Sequence, residues 1–216
     1  GLPTLPTTPV GYVLPNPEGL APTVWPPGFS VLLAVADKLG GERAMLTFNG
    51  LVALVSAVLT AWLAGLLTPP GWRKLPVAVG AAAVFALATS AEQFLRLSAP
   101  LADGAAQVFT ALAVALTLWA IRRLTPATRL QAVAALGAGA GLALGAAYAV
   151  RYTQVLIGPG LVLAAWAGVK DRRQRLTFIG ALALAAALVA LPDVLYRVSL
   201  YGSPLRFGTG ELALFS

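Results

Sequence analysis

From about position 28 onward the chain is a series of apolar runs separated by short polar stations. The first run has apolar residues at Phe29, Leu32, Leu33, Ala36 and Leu39, the spacing of one face of a helix. It ends at Asp37-Lys38-Leu39-Gly40-Gly41, short of the roughly 20 apolar residues that a bilayer span requires. The pattern predicts a short juxtamembrane or partly dipping helix over about 28–39, with a tilted full span as the alternative. Six better spans follow, at about 43–68, 75–91, 103–121, 130–150, 154–169 and 176–195. The second and fifth are short, so they tilt little or extend into the interface. Thr68-Pro69-Pro70-Gly71-Trp72, Thr125-Pro126 and Gly158-Pro159-Gly160 mark hinges. The last lies inside the fifth span and kinks it or delays its start.

Residues 1–27 read differently. Pro3, Pro6, Pro9, Pro15, Pro17, Pro22, Pro26 and Pro27 make them an extended, water-facing loop tied down by Tyr12 and Trp25. Proline is tolerated at the first helical turn, and a tryptophan before it suits headgroup depth, so Trp25-Pro26-Pro27-Gly28 returns the loop to a membrane surface. The expected organisation is a loop over 1–27 and a helical domain over 28–216, with a later outer loop beginning in 196–216. The fold class is all-α, a polytopic transmembrane bundle.

Composition agrees with that pattern. The chain is 58% hydrophobic and only 11% charged, with a mean hydropathy of +0.81. A soluble domain carries about 25% charge. A net charge of +7 raises the question of nucleic acid, but the basic residues are split among short loops. Arg73 and Lys74 form one group, Arg122, Arg123 and Arg129 a second, and Lys170, Arg172, Arg173 and Arg175 a third, with Asp171 the only acid beside them. The alternate loops hold Glu92, Arg96 and Asp103, then Arg151, then Asp193, Arg197, Arg206 and Glu211. The positive-inside rule puts the first set in the cytoplasm and the second outside, leaving no nucleic-acid face.

Cysteine and histidine are both absent, which removes thiol nucleophiles, disulfides, Ser-His-Asp triads and the usual zinc sites. A metal here would need carboxylates and water, as magnesium, manganese or calcium accept. Gly137, Gly141 and Gly145, with Gly139 between, lack the strand-turn-helix context of a dinucleotide loop. Their spacing is that of close helix packing in membranes.

Candidate chemistry gathers on the outer side. Asp103 follows Pro100 at the start of an apolar helix, either as a cap for free amides or as a metal or substrate ligand. Arg151 opposes the charge bias of its side, so it needs a partner, either a structural acid or a phosphate. Glu18, in the Pro-rich tract, reads as solvated.

Several phrases carry a family resemblance. Trp25-Pro26-Pro27-Gly28 with Leu32-Leu33-Ala34 resembles the segment closing the first outward loop of polyprenyl-phosphate-dependent membrane glycosyltransferases of the C-type superfamily. The dolichyl-phosphate-mannose protein mannosyltransferase-like branch is the nearest in wording. The segment around Asp103 is similar to the acidic element of the family's second loop, with Ala102 in place of the usual hydroxyl residue. Tyr201-Gly202-Ser203-Pro204 resembles the aromatic-Gly-x-Pro turn that opens a later outer loop. The likeness runs patchily from about Tyr12 to Phe207.

The resemblance implies an inverting enzyme of the plasma (inner) membrane. It would move a sugar from a polyprenyl-phosphate donor to a lipid, glycan or protein acceptor on the periplasmic or extracellular face. Family members carry their principal acid near the start of the first outer loop, upstream of Gly1, so the chain reads as an inactive piece of a longer protein. Within it, Asp103 is the expected catalytic acid or ligand for magnesium or manganese, and Arg96, Arg151, Tyr152, Arg197 and Arg206 are the expected substrate-binding set. The alternatives are a secondary transporter or a non-catalytic membrane protein. Polar residues crowd one face rather than mid-depth, which favours interfacial chemistry over a transport path.

Overall fold

The computed structural model describes residues 28–69, 72, 74–89 and 102–201, and every regular element among them is helical. In order these are α1 (Gly28–Leu67), α2 (Leu75–Thr89), α3 (Ala102–Arg123), α4 (Leu130–Val150), a 3-10 helix (Tyr152–Ile157), α5 (Gly158–Gly168) and α6 (Arg172–Tyr201). Four helices are long and apolar enough to cross a membrane: α1, α3, α4 and the Arg172–Tyr196 part of α6. The other two expected spans are shorter helices. The 15 residues of α2 rise about 22 Å at 1.5 Å per residue, against a hydrocarbon core of about 30 Å. In α5, Pro159 occupies the first turn, so the α-helix starts late and has 11 residues after the 3-10 segment.

The sequence separates a short helix over 28–39 from a span beginning near 43, and the break falls where expected. Gly41 has φ 66° and ψ −160°, a backbone state essentially restricted to glycine. Phe29 and Phe48 then meet edge to face with ring centroids 6.1 Å apart. Nineteen residues of straight helix would separate them by about 28 Å. The limb 28–39 therefore folds back on the limb 42–67, and α1 is a helical hairpin.

The helix α6 begins earlier than the apolar run near 176 because polar residues start it. The Oδ1 of Asp171 accepts the backbone N–H of Gln174 at 2.8 Å, the bond of an N-terminal cap.

The centre of the bundle is α4 packed on α6. A Cβ on Gly137 or Gly141 would land on the carbonyl oxygen of Phe178 or Leu182, and one on Gly145 would meet the Val189 Cβ at 2.6 Å. These contacts advance together along both helices, so α4 and α6 run parallel, with backbones close because the glycines carry no side chain. Ala140, Ala143, Leu144, Leu161, Phe178 and Leu182 fill the core around this seam. A second cluster at the far end joins Ala105, Ala106 and Val150 to Phe29, Leu32, Phe48 and Val52.

Candidate functional site

Three helix ends meet beside that second cluster. Gly28, the first residue of α1, packs so tightly on the last turn of α4 that a Cβ would strike the carbonyl of Ala149. The glycine after Pro27 is thus required by close approach, which the sequence phrase alone does not reveal. The structure of Trp25, Pro26 and Pro27 lies outside the described residues.

Asp103 lies in the first turn of α3, where a carboxylate also complements the helix dipole. From that position it forms an ion pair across the bundle. Arg151 Nη1 donates to Asp103 Oδ1, and the two side chains are 43% and 37% exposed. Arg151 closes α4 with extended backbone, its N–H donating to the Ala147 carbonyl at 2.8 Å, and the chain then turns into the 3-10 helix.

That turn holds more than one partner. Tyr152 donates its hydroxyl to Asp193 Oδ1 at 3.0 Å, while Tyr148, one turn earlier in α4, donates to Asp193 Oδ2 at 2.8 Å. The two rings lie 5.3 Å apart. Gln154 accepts the Thr110 hydroxyl at 2.8 Å. Successive residues of one short segment therefore grip α3 through Asp103 and Thr110, and α6 through Asp193. Asp193 is only 5% exposed, whereas Asp103 is half open. Guanidinium offers five N–H donors, so Arg151 can hold a second anion beside or in place of Asp103.

The structure thus brings Asp103, Arg151 and Tyr152 together from the expected set. Arg96, Arg206 and Glu18 lie outside the described residues, as do the side chain of Arg197 and the turn Gly202–Pro204. Tyr148, Thr110 and Gln154 were not singled out by sequence, and Asp193, read there only as an outer-loop acid, lies buried inside α6. Asp193 offered one signal, an acid near the end of an apolar run, but its phenolic partners lie 41 and 45 residues away. Among the described residues no three of His, Cys, Asp and Glu gather as a metal group. Neither a family model, nor a curated protein, nor a solved structure matches this chain.

Proposed function

We propose that this protein acts as a membrane glycosyltransferase that uses a polyprenyl-phosphate-linked sugar, at the place where α3 begins and α4 ends. The observation that carries the reading is the half-exposed pair of Asp103 and Arg151 at the end of an apolar bundle. A lipid-linked donor approaches from the membrane with its phosphate at the interface, where Arg151 presents paired donors to it. Phosphate binding to Arg151 would release Asp103 from the ion pair, leaving a carboxylate beside the sugar to accept a proton from the acceptor hydroxyl. The guanidinium would then stabilise charge on the departing phosphate. Tyr152, anchored through Asp193, holds the turn that aims Arg151.

The donor set offers little to magnesium or manganese. Asp103 is engaged with Arg151, and both oxygens of Asp193 accept tyrosine hydroxyls. We derive no step through a metal. The topology belonging to this reading has six spans, with α2 and the 3-10–α5 unit completing the crossing as short spans and the basic loops in the cytoplasm.

The test is sugar transfer by the protein from a polyprenyl-phosphate-sugar donor. Asp103→Asn is expected to lower turnover by about a hundredfold or more, the scale of losing a general base, with unfolding behaviour nearly unchanged. Full activity of Asp103→Asn would reduce the pair to a structural tie between helices and refute the catalytic role.

A further inference from the structure

The opposite end of the bundle carries a second charged assembly. Gln174 is 4% exposed, and its Nε2 donates to the carbonyls of Thr125 at 2.7 Å and Thr128 at 3.1 Å. Thr125 N–H donates to the Thr128 hydroxyl at 3.0 Å, and Thr128 N–H returns a bond to the Thr125 carbonyl at 2.9 Å. One buried amide therefore clasps the α3–α4 connection to the first turn of α6.

Around this clasp stand Arg122, Arg123, Arg129, Lys170, Arg172 and Arg173, all exposed. Among the described residues no carboxylate forms a salt bridge with any of them. The nearby acid, Asp171, accepts the backbone N–H of Gln174. Arg175 is used locally, donating to the Val169 and Lys170 carbonyls while its guanidinium lies 5.0 Å over the Trp166 ring.

Two separate loops thus become one cationic surface, built by a buried hydrogen-bond donor rather than by sequence adjacency. Leu130, Leu163, Trp166 and Leu176 are exposed along the helices next to it. Cations therefore border directly on apolar side chains that face outward. A soluble anion has no use for that border, whereas a phospholipid places its headgroup on one side of it and its acyl chains on the other.

We propose that this end of the bundle is a binding surface for anionic phospholipid headgroups, organised by the Gln174 clasp. Like charges held this close repel one another, and anionic headgroups remove the repulsion while answering the charge of the surface. The clasp fixes the spacing of the two basic loops, so retention depends on Gln174 as well as on the number of cations.

The test uses the chain in nanodiscs of phosphatidylcholine alone or of an equimolar mixture with phosphatidylglycerol. It reads the unfolding midpoint and the phosphatidylglycerol that remains bound after detergent extraction. Phosphatidylglycerol is expected to raise the midpoint, by an amount that shrinks as salt is added. Neutralising Arg122, Arg123 and Arg129 to Gln is expected to lower retention about a hundredfold, at about fivefold per cation. Gln174→Ala leaves every charge in place and is expected to lose most of the retention. If that variant does not fold, Thr128→Val, which removes only the hydroxyl acceptor, takes its place with the same expected direction. Equal midpoints in the two lipids, or unchanged retention in the arginine variant, would overturn the proposal. So would inorganic phosphate in neutral detergent giving the same stabilisation, because the occupant would then be a soluble anion. Retention that falls with the arginines but survives the clasp variant would refute the organised site.

Discussion

Replacing Gly141 with alanine tests the seam on which the bundle is built. The added Cβ falls on the Leu182 carbonyl oxygen and stands 2.9 Å from the Ala185 Cβ, where ordinary contact starts at 3.4 Å. Ala185 and Leu182 belong to neighbouring buried turns of α6, so neither can swing away as the tip of a long side chain could. The helices must part, loosening contacts made by Ala140, Leu144 and Phe178 in the same core. Overpacking of this kind costs about 1–3 kcal/mol. Glycine to alanine also gains about 0.8–1 kcal/mol of helix propensity, so the raw change understates the clash. Gly180, in α6, provides the reference, since a Cβ there meets nothing within 4 Å. Gly180→Ala carries the propensity gain alone, and the difference between the two variants isolates packing at roughly 1–3 kcal/mol. Reversible unfolding in mixed micelles, followed by circular dichroism, measures both. Equal stability of Gly141→Ala and Gly180→Ala would refute the close approach of α4 and α6.

Other consequences are as direct. Gly41→Ala puts a side chain where φ is 66°, at a cost of about 1–3 kcal/mol, and should open the α1 hairpin. Because the chain has no cysteine, spin labels at positions 29 and 48 report this as a lengthened distance; an unchanged distance would count against a glycine-dependent turn. Tyr148→Phe and Tyr152→Phe each remove one hydrogen bond to buried Asp193, and each should cost about 1–3 kcal/mol in the same unfolding assay. Loss in neither would mean that the phenols do not hold the carboxylate. Single cysteines at positions 123 and 173 should label from the cytoplasmic side of intact membranes and one at 151 from the outer side, and labelling at 123 from outside would overturn the proposed topology.

The helices were legible because their signals are local. Apolar runs give α3 and α4 nearly to the residue, and Gly158-Pro159-Gly160 delays α5 through the missing donor of Pro159. Gly40-Gly41 signals a break, but not that the chain reverses there. That needed Phe29 to find Phe48, which no spacing within either limb reveals. The early start of α6 was missed for a related reason. Asp171 and Gln174 belong to a stretch whose charge hides a capping bond, so the apolar run near 176 marks lipid-facing surface and not the end of the hydrogen-bonded helix.

Charge made half of the candidate site legible and burial hid the rest. Arg151 stands out because a cation on the sparsely basic side of a membrane protein needs an acid or an anion, and Asp103 was within the small set of available partners. Asp193 gave no comparable contrast. Its partners are neutral hydroxyls on another helix, and tyrosines near helix ends are ordinary in membranes. What joins the two halves is the chain between Arg151 and Gln154. Because a 3-10 helix has about three residues per turn, side chains three positions apart share a face while their immediate neighbours leave it in another direction. Arg151 and Gln154 reach α3 while Tyr152 reaches α6, so the half-open carboxylate and the buried one are fixed by one backbone segment. The guanidinium of Arg151 therefore swings toward another anion from a backbone that Asp193, through Tyr152, holds in place.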